Sequence, residues 1–375
     1  MQSCFKLLDC EGYIMATSLS KKVRYLLLLL TLCHMTAVCA FEFGIGTHIA
    51  NYKESSEFYI QKVKSYGFNS VRDELYWNDV EKQNGVFSIP PNRTKTDHYF
   101  QNLQSNNVSS LLVLDYGNNI HTRGGFPSNS QQIAQFASYA AWIAERYKGK
   151  VKYYEVWNEW YLGTGISSWF LKKAKPDDAI YFQLIKATSE AIKRIDPGAK
   201  IIAGSFNPLK KPEIEWFDNY IDMGVLKYID GISVHPYSYG NKDIKLRTPE
   251  GNISAIDRYE QHLKNKTGEN IDLYITEVGY PTNSSKGGVE PELAAQYMVK
   301  YTFLAKQRDY IKGIWWYTLM NSADNTSNRE SNFGILMHNE SEKPSAKCLK
   351  QNEQLIAGAL TNQKNASSSI SCSGQ

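Results

Sequence analysis

Tyr153-Tyr154-Glu155-Val156-Trp157-Asn158-Glu159-Trp160 is a short apolar run that ends on a carboxylate. Further along, Ile271-Asp272-Leu273-Tyr274-Ile275-Thr276-Glu277-Val278-Gly279-Tyr280-Pro281 repeats the arrangement. Runs this short and apolar suit strands buried on both faces. A carboxylate where such a strand meets its loop is costly unless it has a partner or a task. Working outward, the runs at 43–48, 70–75, 110–116, 152–158, 200–205, 231–235, 272–277 and 313–318 all read as strands. Helix-like stretches lie between them. Residues 55–66 are amphipathic and stop before Gly67; 131–147 carry Phe136, Tyr139, Ala140, Trp142 and Ile143 on one side. Residues 177–195 open on capping Asp177 and Asp178 and stop at Asp196-Pro197-Gly198, and 291–308 follow the seventh strand. This alternation predicts an α/β chain folded as a single-domain (β/α)8 TIM barrel over residues 41–360. Active sites in that fold sit at the C-terminal ends of the strands. Glu159, Glu277, Arg72, Asn158, His235, Tyr237 and Trp316 all fall there.

Residues outside the barrel read differently. Lys21-Lys22-Val23-Arg24, an apolar stretch from Tyr25 to Leu32, and Ala37-Val38-Cys39-Ala40 form a secretory signal peptide, so 1–40 is assigned as leader and the mature chain as secreted or periplasmic. An uncleaved membrane anchor is the alternative, but the stretch is short for a span. Residues 361–375 are Ser-rich and expected to be disordered. Four of the six cysteines are in the leader, which leaves Cys348 and Cys372 for one disulfide. Eight Asn-x-Ser/Thr sites, Asn92 and Asn252 among them, matter only in a eukaryotic secretory route. The net charge of +4, half of it in the leader, is too mild to predict nucleic acid or an anionic membrane as partner. The histidines are scattered, and no phosphate loop or dinucleotide fingerprint occurs, so no metal and no cofactor is expected. A monomer is.

Two carboxylates at strand ends are what glycoside hydrolysis needs. Here the chain resembles a clan A glycoside hydrolase, a retaining (β/α)8 superfamily. Asn158-Glu159 resembles the strand-4 Asn-Glu pair, and Glu277 the strand-7 nucleophile. Arg72 in Ser70-Val71-Arg72 resembles the arginine that keeps the nucleophile ionised. Trp77-Asn78-Asp79-Val80-Glu81 with Gly85-Val86-Phe87, His235-Pro236-Tyr237, Trp315-Trp316-Tyr317, Asn332-Phe333-Gly334-Ile335-Leu336 and Lys343-Pro344-Ser345 extend the likeness, which is nearest to family 39-type enzymes and bacterial exopolysaccharide glycosidases. The resemblance implies that Glu159 is the acid/base and Glu277 the nucleophile. It also implies that Asn158 holds a sugar 2-hydroxyl and that Trp316 floors the sugar site. Many relatives have Asn-Glu-Pro where this chain has Asn158-Glu159-Trp160, which leaves the substrate open.

Each residue has a plainer reading. Glu155, inside the strand, is read as a structural partner of a core cation. His48 is a sugar contact or a satisfied core histidine, and Tyr237 either bonds Glu277 or packs. Asp115 and Asn118 are substrate-contact candidates. The function expected is a retaining β-glycosidase. The alternatives are a transglycosidase with the same residues and an inactive carbohydrate-binding barrel. Asn321–Asn332 is polar and can line a groove or a pocket.

Overall fold

The computed structural model describes residues 41–166, 168–357 and Cys372. The leader lies outside the described residues, as does the tail except for Cys372. Among the described residues, eight parallel strands close into a barrel. They are β1 (Glu42–Gly46), β2 (Ser70–Glu74), β3 (Ser109–Leu114), β4 (Tyr153–Val156), β5 (Lys200–Phe206), β6 (Gly231–Val234), β7 (Leu273–Val278) and β8 (Ile311–Trp316). β8 pairs back onto β1, with Glu42 opposite Gly313. The main helix after each strand is, in order, α1 (Ser56–Ser65), α2 (Thr94–Asn102), α3 (Ser130–Arg146), α4 (Asp178–Ile195), α5 (Lys211–Asp222), α6 (Pro249–Thr267), α7 (Pro291–Lys306) and α8 (Pro344–Gln351). This is the (β/α)8 barrel the alternation predicts.

Local chemistry sets the boundaries. Ser55 caps α1 by accepting from the Phe58 amide at 3.2 Å, and Asp177 caps α4 in the same way. The run at 152–158 is longer than β4 because Trp157 and Glu159 take left-handed φ of 67° and 48°, which breaks the pleat. α2 buries a thin face, with Tyr99 and Phe100 its only large buried side chains. Trp77-Asn78-Asp79-Val80-Glu81 forms a short helix leading into a hairpin of Glu81–Gln83 and Val86–Phe87. Glu81 ties this loop together, accepting from Trp77 Nε1 at 2.5 Å and from the Gly85 amide at 2.7 Å.

The two-residue period of the strands decides what faces the barrel axis. Leu111, Val113, Tyr153, Ile202, Tyr274 and Trp315 form a separate buried cluster inside the barrel. Trp315 fills so much of it that a Cβ on Gly44 would stand 2.1 Å from its ring. Two residues further along, the inward positions turn polar: Asp115 follows Val113, Glu155 follows Tyr153 and Thr276 follows Tyr274, all fully buried. The apolar layer thus floors a polar one, and the polar one opens at the C-terminal end of the barrel. Outside the strands, the larger cluster packs strands against helices. Cys348 and Cys372 form a disulfide. No helix among the described residues is long and apolar enough to cross a membrane.

Candidate active site

Arg72 organises the polar layer. Its guanidinium is forked, and each arm has a different acceptor. Nε donates to Glu155 Oε2 at 2.9 Å, Nη1 to Glu277 Oε1 at 2.7 Å and Nη2 to Asn158 Oδ1 at 3.0 Å. Glu155 is completed by the Thr276 hydroxyl at 2.8 Å. Glu155 is therefore the structural partner the plainer reading assigns it. Burial opposes the Arg72 charge, but Glu155, Glu277 and Glu74 more than compensate and hold the guanidinium well above its usual value.

Glu277 stands at the end of β7 and receives a second donor, Tyr237 Oη, at 2.9 Å. Burial and then the Glu277 charge push the Tyr237 phenol well up, so it stays a donor. Glu159 lies across the cavity. Its Oε2 accepts from Thr164 Oγ1 at 2.6 Å, its Oε1 is 3.0 Å from His235 Nδ1, and its amide donates to Ser205 Oγ at 2.8 Å. The other nitrogen of His235 meets Thr276 Oγ1 at 3.0 Å. Burial alone would raise the Glu159 carboxyl. The His235 hydrogen bond and charge, Thr164 and Arg72 outweigh it and hold the group below the ordinary range. Burial in turn disfavours a charged His235, but Glu277 and Glu159 raise it overall. Each group of the Glu159–His235 pair thus favours the charged form of the other.

Carboxylate oxygens of Glu159 and Glu277 and a ring nitrogen of His235 all lie within 4.8 Å of one another. That spacing would also suit a metal. The Arg72 guanidinium bonded to Glu277 disfavours a dication there.

The cavity above these groups has a volume of about 350 Å³ and is also lined by His48, Glu74, Tyr116, Tyr239, Tyr317 and Phe333. A larger hollow of about 530 Å³, around Val151 and Asp196, is lined by neither glutamate. Of the residues singled out in the sequence, Arg72, Asn158, Glu159, His235, Tyr237, Glu277 and His48 meet in the active cavity. His48 faces Glu74, with Nδ1 3.7 Å from Oε1, and packs edge-on against Tyr317.

Trp316 does not join them, which corrects its assignment as the sugar floor. It is outward-facing on β8, 3 % exposed, and donates from Nε1 to Thr302 of α7 at 2.9 Å. The inward positions of that strand end are Trp315 and Tyr317, and it is Tyr317 that lines the cavity. Trp316→Ala should cost roughly 3–5 kcal/mol of stability with little change in KM. Tyr317→Ala should raise KM about tenfold at much smaller cost in stability. Denaturant titration and initial-rate kinetics on both variants check this.

Asn118 is also withdrawn as a substrate contact. It is fully buried, caps the short helix Asn119–Thr122 and donates to the carbonyls of Trp77 and Glu81. Tyr116, Thr164, Thr276 and Glu74 were missed. Glu74 and Thr276 were accessible by counting two positions along their strands from Arg72 and Tyr274. Thr164 lies in an irregular loop, where no periodic signal exists.

A family model described as Cellulase (glycosyl hydrolase family 5) matches residues 37–322. The chain belongs to glycosyl hydrolase family 5. The family model bears out the clan A glycoside hydrolase read from the sequence, and family 39 appears among the structural neighbours. A family 39 glycoside hydrolase from Bacteroides cellulosilyticus WH2 superposes with a TM-score of 0.68 at 21% identity, over 87% of this chain. The chain spans only 65% of that protein's length. A monomeric beta-xylosidase from Caulobacter crescentus CB15 gives 0.60 at 18% identity, over 83% of this chain and 67% of that one. Xylanase 10B from Thermotoga maritima gives 0.60 at 15% identity, over 85% and 96%. At such identities these likenesses show the fold alone. No curated protein matches the chain.

Proposed function

We propose that this family 5 chain is a retaining β-glycosidase that cleaves O-glycosidic bonds of a polysaccharide or oligosaccharide. The observation that carries the reading is the separation of the two carboxylates: oxygens of Glu159 and Glu277 stand within 4.8 Å. Retaining enzymes hold their carboxyl groups about 5–5.5 Å apart, while inverting ones leave room for a water between them.

In the first step Glu277, bonded by Arg72 and oriented by Tyr237, attacks the anomeric carbon. Glu159 gives a proton to the departing oxygen. His235 Nδ1, 3.0 Å from Glu159 Oε1, shares a hydrogen bond with this carboxyl. Filling the cavity removes water from Glu159, which favours its neutral form. In the second step Glu159 takes a proton from water, and the hydroxide equivalent releases the glycosyl group from Glu277. Asn158, which accepts from Arg72 and donates to Tyr116 Oη at 2.8 Å, would hold the 2-hydroxyl. The leader would carry the chain out of the cytoplasm, where the Cys348–Cys372 disulfide persists.

Glu159→Ala tests the roles. Turnover of natural glycosides should fall about 10²–10⁴-fold. Glycosylation by aryl glycosides with good leaving groups, which need no protonation, should be largely spared. Azide should restore release by replacing water without needing a base. A Glu159→Ala enzyme fully active on a natural polysaccharide would show that the acid/base lies elsewhere.

A further inference from the structure

The carboxylates around Arg72 are not equally provided for. Glu155 receives Arg72 and Thr276, Glu277 receives Arg72 and Tyr237, and Glu159 receives Thr164. By contrast, Glu74 Oε2 and both side-chain oxygens of Asp115 are buried with no donor. Ionised carboxylates only accept, so two of them side by side cannot satisfy each other. They are side by side. Glu74 pairs in register with Val113 across β2 and β3, and Asp115 is the next inward position beyond Val113. Glu74 reaches the cavity and Asp115 is sealed behind it.

We propose that Asp115 carries a proton in the working enzyme and donates it to Glu74, so that Glu74 presents an ionised oxygen to the hydroxyl groups of the sugar ring bound in the cavity. This rests on the glycosidase reading and adds to it a residue that recognises the glycone. One proton in the pair turns orphaned acceptors into a donor and an acceptor. It also spares the site a further negative charge. Arg72 already serves Glu155 and Glu277, while Arg93, 4.6 Å over the Tyr76 ring, serves Asp79. The other titratable groups facing the pair are Glu155, His48, Tyr116, Tyr139 and Tyr76, whose phenol hydrogen-bonds Glu74 but leaves its Oε2 without a donor. Burial first, then the charge of Glu74 and a hydrogen bond with it, push Asp115 well above the usual carboxylate range, with Arg72 opposing. A carboxylic acid kept neutral by its surroundings so that it can donate is a known catalytic-site device.

The first test is made on the unliganded protein. Infrared difference spectra of wild type against Asp115→Asn should show the C=O stretch of a protonated carboxyl at pH 7, absent from the variant. If that variant fails to fold, titration of the band in wild type labelled at its aspartate carboxyls gives the same answer. No protonated carboxyl at pH 7 overturns the proposal.

Stability should agree. A folded-state pKa raised above the unfolded one stabilises at acid pH, and the gain is lost as pH rises towards the folded value. Wild-type Tm should therefore fall relative to Asp115→Asn as pH rises above about 4. Parallel Tm–pH curves count against it.

The second test reads recognition. Glu74→Gln should raise KM, or Kd for a sugar bound without turnover, about tenfold. Unchanged sugar binding in Glu74→Gln, with the infrared band present, removes the sugar contact and leaves only the shared proton. Because the infrared and Tm readouts need no substrate, their failure is separable from failure of the glycosidase reading.

Discussion

Glu277→Ala should lower turnover of every substrate, activated or not, on the order of 10⁴-fold or more. Both chemical steps pass through this carboxylate, so a better leaving group cannot compensate. This separates it from Glu159→Ala, whose deficit depends on the leaving group. The variant should fold. Removing Glu277 frees one arm of Arg72, but Glu155 and Asn158 still hold the other two at 2.9 and 3.0 Å. Tyr237 loses an acceptor at a cavity edge, where water can replace it. A small external nucleophile such as azide should restore part of the rate on aryl glycosides, with inversion at the anomeric carbon. Kinetics on aryl glycosides with graded leaving groups, run on both alanine variants, check the assignment. Equal leaving-group dependence in the two would contradict it.

Arg72→Leu should be the most damaging single change to the fold of the site. Arg72 and Glu155 have side chains 6% and 0% exposed and meet at 2.9 Å. Breaking a buried ion pair by removing one partner leaves a charge without compensation, which costs roughly 3–5 kcal/mol. Glu277 loses the guanidinium that donates to it in the same change, so activity should fall together with stability. The double variant Arg72→Leu/Glu155→Gln should recover much of the stability but not the activity, because it removes the orphaned charge without restoring the cation beside Glu277. Urea unfolding of the single and double variants reads the coupling directly. A single variant as stable as wild type would mean that water or another cation already reaches Glu155.

The barrel was legible in the sequence because strands buried on both faces are short and apolar throughout, and those runs recur with helices between them. Glu159 and Glu277 were legible because each interrupts such a run where burial would exclude it. Arg72 was found on strand order and resemblance. Trp316 failed for a reason that also explains its correction. In a run as apolar as Gly313–Thr318, both faces look alike, so hydrophobicity does not say which residue points inward. Only the contacts of Trp315 with Tyr153 and of Trp316 with Thr302 settle it. Glu74 and Asp115 could be placed on their strands from sequence, but the absence of donors around them is a property of three-dimensional packing. Thr164 reaches Glu159 through a turn between Gly163 and Gly165, both at positive φ, and a Cβ on Gly165 would stand 2.4 Å from the Tyr116 ring. Such a loop is set by close approach rather than by pattern.

Mass spectrometry after incubation with a panel of 2-deoxy-2-fluoro glycosides tests the central claim most directly. The fluorine slows release more than attack, so a retaining enzyme accumulates its covalent intermediate. The account predicts a stoichiometric adduct on the peptide that contains Glu277, and the sugar that labels fastest identifies the preferred glycone. An adduct on a different carboxylate, or steady turnover of the parent glycosides with no adduct and an inverted product anomer, would contradict it.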